Sequence, residues 1–369
     1  MKIAQIAPLQ ESIPPRLYGG TERVVSYLTE ELVRQGHDVT LFASGDSITS
    51  ARLISFCDCA LRLDPRVRDP LPDHMVMLDA VREMADQFDV LHFHVDVLHY
   101  PLIRDFVERT VTTLHGRVDL PESRRLYSVF SGAPLVSISM DQRKPMPPVN
   151  WAGLVHHGLP RDLLPFNPNA RGGYLAFLGR ISPEKRPDRA IEIASRVGVQ
   201  LKIAAKIDRI DRDYWEERIR PMVERNPNVE YIGEINERQK AQFLGEAMAL
   251  LFPIDWPEPF GMVLIESMSC GTPVIAFRCG SSSEVVEDGV SGYLVDTVDQ
   301  AAAAVRRLGA LDRRAARACF ERRFTIDRVA RDYLSIYRAL PGVRSRSRRA
   351  VPEFPRTLDH AASASGRRF

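Results

Sequence analysis

The stretch DWPEPFGMVLIESMSCGTP, residues 255–273, constrains the fold more than any other part of the chain. MALLFP (248–253) before it reads as a short apolar strand, and PVIAF (273–277) after it reads as another. Between them, Pro257 and Pro259 hold Glu258 on a stiff loop. Residues 260–270 predict a short helix, with Met262, Ile265 and Met268 at three-residue spacing and Gly271 as its stop. A strand, loop, helix, strand unit belongs to a parallel α/β sheet, in which ligands bind where strand ends meet helix N-termini. Glu258 would project from the loop at that mouth. Glu266 would lie roughly 9 Å further along a helix starting near Phe260, at 1.5 Å per residue. A ligand touching both carboxylates must be long, anionic in the middle and hydroxyl-rich at its ends, as a nucleotide-sugar is. By spacing alone, an acidic loop and a surface glutamate remain the slightly better reading.

The rest of the chain repeats the α/β pattern. KIAQIAPL (2–9) is a continuous apolar run suited to a strand buried on both faces. A loop with Pro14-Pro15 and Gly19-Gly20 follows, then a helical stripe of Val24, Val25, Leu28 and Leu32, then the strand DVTLFA. Gly19 and Gly20 allow close backbone approach to a ligand, although such a pair is more often only a turn. Thr21 is placed to cap the helix, and Glu22 reads as a first-turn helix charge, ahead of the alternative of an acceptor-side polar group. Residues 46–74 read as irregular. DVLHFH (89–94) is a strand in which His92 reads as a packed core histidine, with His94 at the strand end. TVTTLHG puts His115 at the carboxyl end of another strand, with Asp119 on the same loop, and two more strands follow in PLVSISM and NWAGLV. FNPNARGG (166–173) reads as a linker. YLAFLGR then opens a second α/β domain, and GRISPEKRPD sets Arg180 and Lys185 on a loop after its first strand, where both can meet an anion. Lys206, after the next strand, can meet a phosphate or pair with Asp208 or Asp211.

These motifs, Glu258-PFGMVLI-Glu266, CGTPVIA, GSSSE with Glu284, GRISPEK and YGGTERV, together resemble the retaining glycosyltransferases of family 4. The resemblance covers most of residues 1–340. It implies the GT-B architecture: two Rossmann-like, doubly wound domains facing a cleft. Residues 1–165 would form the acceptor side and 166–322 the nucleotide-sugar side. A helix over 323–341 would return to the first domain, followed by a basic tail over 342–369. It further implies that Arg180 and Lys185 bind the donor diphosphate, helped by Lys206 and the amides of Gly19, Gly20, Phe260, Gly261, Met262 and Val263. Glu258 would hold the sugar, Glu266 the ribose and His115 the sugar from the opposite domain. Gly233 and Ile235 would pack against the base, with Lys240 nearby. Where relatives commonly carry Asn-Gly, this chain has His157-Gly158, tolerable if Gly158 supplies the permissive backbone. The implied reaction moves a hexosyl group from a GDP- or UDP-sugar to a hydroxyl of a glycan, glycolipid or small molecule, without a metal or other cofactor, by front-face substitution. Sugar phosphorylase, nucleotide-sugar epimerase and a non-catalytic nucleotide-sugar sensor are the alternatives on the same architecture.

Composition narrows the partners. The formal charge of +2 hides a tail of about +5, which leaves about −3 on the folded body and argues against nucleic acid. The tail offers a peripheral contact with anionic lipid at the inner membrane face, or simply stays solvated, the plainer reading. Five cysteines, at 57, 59, 270, 279 and 319, have no zinc spacing and read as reduced thiols of a cytoplasmic protein. MKIAQIAPLQ is too short an apolar run for a signal peptide, and no run of eighteen apolar residues would span a membrane.

Overall fold

The computed structural model describes residues 1–16 and 19–343. Tyr18 of the YGGTERV motif and nearly all of the basic tail lie outside the described residues. Apolar runs without polar alternation form strands buried on both faces, and here they assemble two wholly parallel sheets.

The first sheet holds β1 (Lys2–Ile6), β2 (Asp38–Ala43), β3 (Arg52–Ser55), β4 (Val90–Phe93), β5 (Thr110–Thr113), β6 (Leu135–Ser137) and β7 (Trp151–Leu154). Their order is β3-β2-β1-β4-β5-β6-β7. The second holds β8 (Tyr174–Arg180), β9 (Gln200–Lys206), β10 (Val229–Gly233), β11 (Ala249–Phe252), β12 (Val274–Phe277) and β13 (Gly292–Val295), in the order β10-β9-β8-β11-β12-β13. Each order reverses beside its first strand, β1 or β8. That reversal opens a crevice at the carboxyl ends of the strands, where doubly wound sheets bind ligands.

Two expectations need correction. Residues 46–74 contain β3, which pairs in parallel with β2 from Thr40↔Arg52 to Ala43↔Ser55. The strand is half exposed at the sheet edge and so lacks the apolar signal of its neighbours. Thr21 does not cap the first helix, Gly20–Arg34, whose N-cap is Gly19 with no side-chain hydrogen bond. The helical stripe itself is as the periodicity predicts: Val24, Val25, Leu28 and Leu32 are all buried.

The chain leaves the first sheet through residues 155–166 and returns beside that exit, where Leu159 N–H donates to Phe324 O and Ile326 N–H to Leu159 O. The helix Ile326–Ala339 then buries Val329, Tyr333, Leu334 and Tyr337 in one cluster with Ile3, Leu28, Val90 and Val111 of the first domain. Full burial of each large apolar side chain in such a cluster stabilises by about 1.5–3 kcal/mol. The C-terminal helix is therefore part of the first domain's core. Gly158 sits at this crossing without positive φ. It is needed because a Cβ there would come within 2.7 Å of Phe324 O and Val329 Cγ2.

Candidate active site

A cleft of about 470 Å³ opens between the two sheets at their strand ends. From the first domain it is lined by Gly19, Gly20 and Glu22 after β1, and by His115 after β5. From the second it is lined by Arg180 and Lys185 after β8, Lys206 at the end of β9, and Glu258 to Val263 after β11. Glu266 and Ile235 line it as well. Gly233 does not line it. That glycine ends β10 with φ +79, and Glu234 and Ile235 beyond it make the wall instead. The Gly20 position is open, with no atom within 4 Å of where a Cβ would stand, so its backbone faces the cleft unobstructed.

The cations converge where an anion would sit, and each is matched by a carboxylate. Arg180 lies 3.0 Å from Glu184 and 3.3 Å from Asp208, and Lys206 lies 3.0 Å from the same Asp208. These neighbours hold the Asp208 carboxyl below its usual range against the opposing cost of burial. Lys185 pairs with Glu258, and Trp256 steers that carboxylate with an indole N–H donated to Oε2 at 3.0 Å. The Lys185 ammonium also lies 4.9 Å from the Trp256 ring centroid, within cation–π reach. Asp255, three residues before Glu258, is taken by Arg186 at 2.7 Å and Arg189 at 3.1 Å, outside the cleft lining.

The helix after the Glu258 loop runs over Met262–Ser269, with Gly261 as a left-handed N-cap at φ +80. It starts two residues later than the periodicity suggests, so Glu266 is about one turn in. Leu264 N–H is taken by Gly261 O at 3.0 Å, whereas the Met262 and Val263 amides precede any helical acceptor and belong to residues that line the cleft. Glu266 is 3% exposed and accepts from Lys240 Nζ at 2.7 Å, and Lys240 is 9% exposed. Lys240 lies 3.7 Å from Glu237 as well, and Glu237 pairs across the cleft with Arg23 of the first domain. A second cross-domain contact comes from Glu284, whose carboxylate accepts from the Met140 and Asp141 amides at 2.7 and 2.6 Å.

His115 stands on the first-domain side. Its Nε2 is 2.7 Å from His94 Nδ1, and its ring stacks on His157, with centroids 5.2 Å apart. Burial pushes its pKa down to about 3, so the ring is neutral at physiological pH. Asp119 does not join it, being paired with Arg117 at 2.8 Å.

Several lining residues escape sequence reasoning. Arg23 lies inside YGGTERV without a role of its own there, Arg62 has no motif around it, and His157 stands where a plain turn is expected. Glu22 lines the cleft at 7% exposure, and its pKa is raised, first by burial. The signal for Glu22 is its place two residues after Gly-Gly, which also fits a first-turn helix charge. Among the described residues, no group of three His, Cys, Asp or Glu is placed to hold a metal ion. None of their helices is long and apolar enough to cross a membrane.

Comparison with known proteins follows the same division. A family model described as Glycosyltransferase Family 4 matches residues 18–138, and one described as Glycosyl transferases group 1 matches residues 165–319. The D-inositol 3-phosphate glycosyltransferase of Mycolicibacterium smegmatis is 31% identical over 167 residues, 40% of this chain and 36% of that one. The chain thus matches the first relatives over less than half of their own length. The phosphatidyl-myo-inositol mannosyltransferase of Mycobacterium leprae is 26% identical over 334 residues, 82% of this chain and 86% of that one. Among solved structures, sucrose-phosphate synthase of Thermosynechococcus elongatus superposes with a TM-score of 0.73 at 20% identity, covering 92% of this chain and 99% of that one. HepE of Anabaena, solved with UDP, superposes with a TM-score of 0.72 at 18% identity, covering 92% and 100%. Two parallel α/β sheets facing a cleft, a family 4 match on one and a group 1 match on the other place the chain in the family 4 type of GT-B glycosyltransferases.

Proposed function

We propose that the chain is a retaining hexosyltransferase that takes its sugar from a GDP- or UDP-sugar and delivers it to an acceptor hydroxyl without a metal. The observation that carries this reading is one cleft lined by three cations, Arg180, Lys185 and Lys206, together with two carboxylates, Glu258 and Glu266. That set of groups suits a diphosphate carrying sugar and ribose hydroxyls. UDP is preferred as the first nucleotide to test, since the HepE structures hold UDP and UDP-glucose. Relatives named for inositol phosphate and phosphatidyl-inositol support a polyol acceptor. The five free thiols support a reducing, cytoplasmic location.

In this mechanism Arg180, Lys185 and the first-turn amides after Gly261 stabilise the charge that grows on the leaving phosphate. The acceptor oxygen bonds to the anomeric carbon on the face the phosphate leaves. The acceptor proton passes to a phosphate oxygen as the glycosidic C–O bond of the donor breaks. Preorganised cations take the role a divalent ion would fill, and cleft closure brings His115 onto the sugar.

The test is a panel of nucleotide-sugars assayed for binding and transfer with and without chelator. One donor should bind selectively, transfer should survive chelation, and NMR of the product should show the donor's anomeric configuration. An inverted product or chelator-sensitive transfer overturns the mechanism. An altered sugar nucleotide formed without acceptor turns the assignment to an epimerase.

A further inference from the structure

His115 is the outer end of a hydrogen-bonded chain that crosses the first sheet to the C-terminal helix. His115 Nε2 meets His94 Nδ1 at 2.7 Å, and His94 Nε2 meets Gln5 Oε1 at 2.7 Å. Gln5 Nε2 donates to the Tyr337 hydroxyl at 3.3 Å. That hydroxyl lies 2.7 Å from His92 Nδ1, His92 Nε2 lies 2.7 Å from Thr113 Oγ1, and Thr113 Oγ1 lies 2.8 Å from the Tyr333 hydroxyl. Gln5, His92, Thr113 and Tyr337 are fully buried, and His94 and Tyr333 nearly so.

A neutral imidazole has one donor and one acceptor, so each ring passes its polarity to the next group. The Gln5 carbonyl oxygen can only accept, which puts the His94 proton on Nε2. Burial keeps His94 neutral, so its Nδ1 offers a lone pair to His115. His115 must therefore carry its proton on Nε2, and its Nδ1 is a bare acceptor. The other arm closes in the same sense: the Tyr337 oxygen accepts from Gln5 and gives its own proton to His92 Nδ1, and His92 Nε2–H donates to Thr113. Each contact then has one donor and one acceptor. The loose end is His115 Nδ1, buried and without a hydrogen-bond partner among the described residues, in a ring that lines the cleft. A buried acceptor left unmet is destabilising, and a ligand O–H relieves it.

We propose that Gln5, acting through His94, is a positioning residue that fixes His115 as the Nε2–H tautomer, so that His115 Nδ1 accepts a hydrogen bond from a hydroxyl of the transferred sugar. The hydroxyl rests on the glycosyltransferase reading; the tautomer does not. Gln5 belongs to β1, and its amide is held by Tyr337 of the C-terminal helix, so a residue remote from the cleft sets the hydrogen-bonding character of a group inside it.

The experiment is ring-nitrogen NMR of the full chain labelled with ¹⁵N-histidine, without nucleotide. His115 should show a protonated Nε2 and a non-protonated Nδ1. Gln5→Met, which removes the amide, and Tyr337→Phe, which frees it to turn, should each give a mixture of tautomers. Wild-type His115 protonated at Nδ1 would overturn the proposal, and that spectrum decides it even where a variant fails to fold. An unmixed His115 in folded Gln5→Met would overturn it too. With a nucleotide-sugar that transfers, Gln5→Met should lower kcat about three- to tenfold, the range of one neutral hydrogen bond, and leave the acceptor KM unchanged. Transfer with the wrong tautomer refutes this proposal alone, whereas the stated tautomer without binding of any nucleotide-sugar refutes the hydroxyl and the function together.

Discussion

Lys185 and Glu258, one on the turn after β8 and the other on the loop after β11, form an ion pair inside the cleft, with side chains 17% and 13% exposed. The two are expected to serve different parts of one ligand, the diphosphate and the sugar. A donor diphosphate would draw Lys185 away and leave the Glu258 carboxylate, still oriented by Trp256, to accept from sugar hydroxyls. A double-mutant cycle of Lys185→Met and Glu258→Gln, read by urea unfolding, should give a coupling of about 1–3 kcal/mol without nucleotide and close to zero with saturating UDP or GDP. Lys185→Ala should weaken nucleotide binding at least about tenfold, the cost of losing a charged hydrogen bond. Coupling that is unchanged by nucleotide would mean that Lys185 does not hand over.

The Glu258 loop leans on a glycine. Gly280 has φ +57, and a Cβ there would lie 2.3 Å from Glu258 N and 2.5 Å from Glu258 O, while Ser281 N–H donates to Glu258 O at 3.0 Å. Gly280→Ala should therefore push the loop away from Trp256 and Lys185 and cut transfer by about tenfold or more. It adds the cost of a left-handed residue, about 1–2 kcal/mol. Gly289→Ala is the control: its φ is +76 but a Cβ would meet nothing within 4 Å. That variant should lose only the backbone cost and keep its activity, and equal activity loss in both would refute the loop argument.

Glu266 and Lys240 make the buried counterpart of the surface-facing pair. Removing one partner strands the other's charge, and such a break costs about 3 kcal/mol or more in a core, less here because Glu237 remains 3.7 Å from Lys240. Glu266→Ala should destabilise by about 2–3 kcal/mol in urea unfolding, and the Glu266→Ala, Lys240→Met double variant by less than the sum. The same Glu266→Ala should narrow the affinity gap between a ribonucleotide donor and its 2′-deoxy form, since a ribose hydroxyl is the group it is proposed to hold. An unchanged gap would move Glu266 from ligand to scaffold.

These pairs show what is legible in the chain and what is not. β11, the Glu258 loop and the helix behind it are local features, so their composition announces them. The wholly apolar β12, the β-branched run of β5 and β4, apolar but for His92, are equally plain. β3 is not, because an edge strand with exposed ends needs no apolar run. Lys240 and Glu266 are 26 residues apart on different elements, and only packing of those elements joins them. Glu22 reads as a helix-dipole charge until the Gly19 loop and the distant Arg62 close over the same cleft. Gly233 stands one residue before the lining of that turn, which begins at Glu234 and includes the expected Ile235, because backbone contact with a base leaves no side-chain signature. His94 is visible as a strand-end residue, but its tie to Gln5 depends on strand order, which puts β1 beside β4 with Gln5 opposite His92.

That same cluster of histidines governs acid stability. His92, His94, His99, His115 and His157 are all held below their usual range, first by burial, His99 and His115 to about 3. In the unfolded chain each titrates near about pH 6.5, so below that pH the unfolded state binds protons that the folded state refuses. Their neutral forms cost nothing above about pH 6.5, and stability should fall progressively as pH drops from there, by up to about 1.4 kcal/mol per pH unit for each histidine. Urea unfolding between pH 8 and 5 should show a flat region followed by this decline, well before the carboxylates titrate. His99→Gln, which retains a group able to hydrogen-bond the Thr112 hydroxyl now 2.7 Å from His99 Nε2, should remove one increment of the slope. Transfer measured over the range where the protein stays folded should show no ionisation belonging to His115. A slope insensitive to His99→Gln, or a histidine limb in transfer abolished by His115→Gln, would mean that these rings take up protons inside the fold.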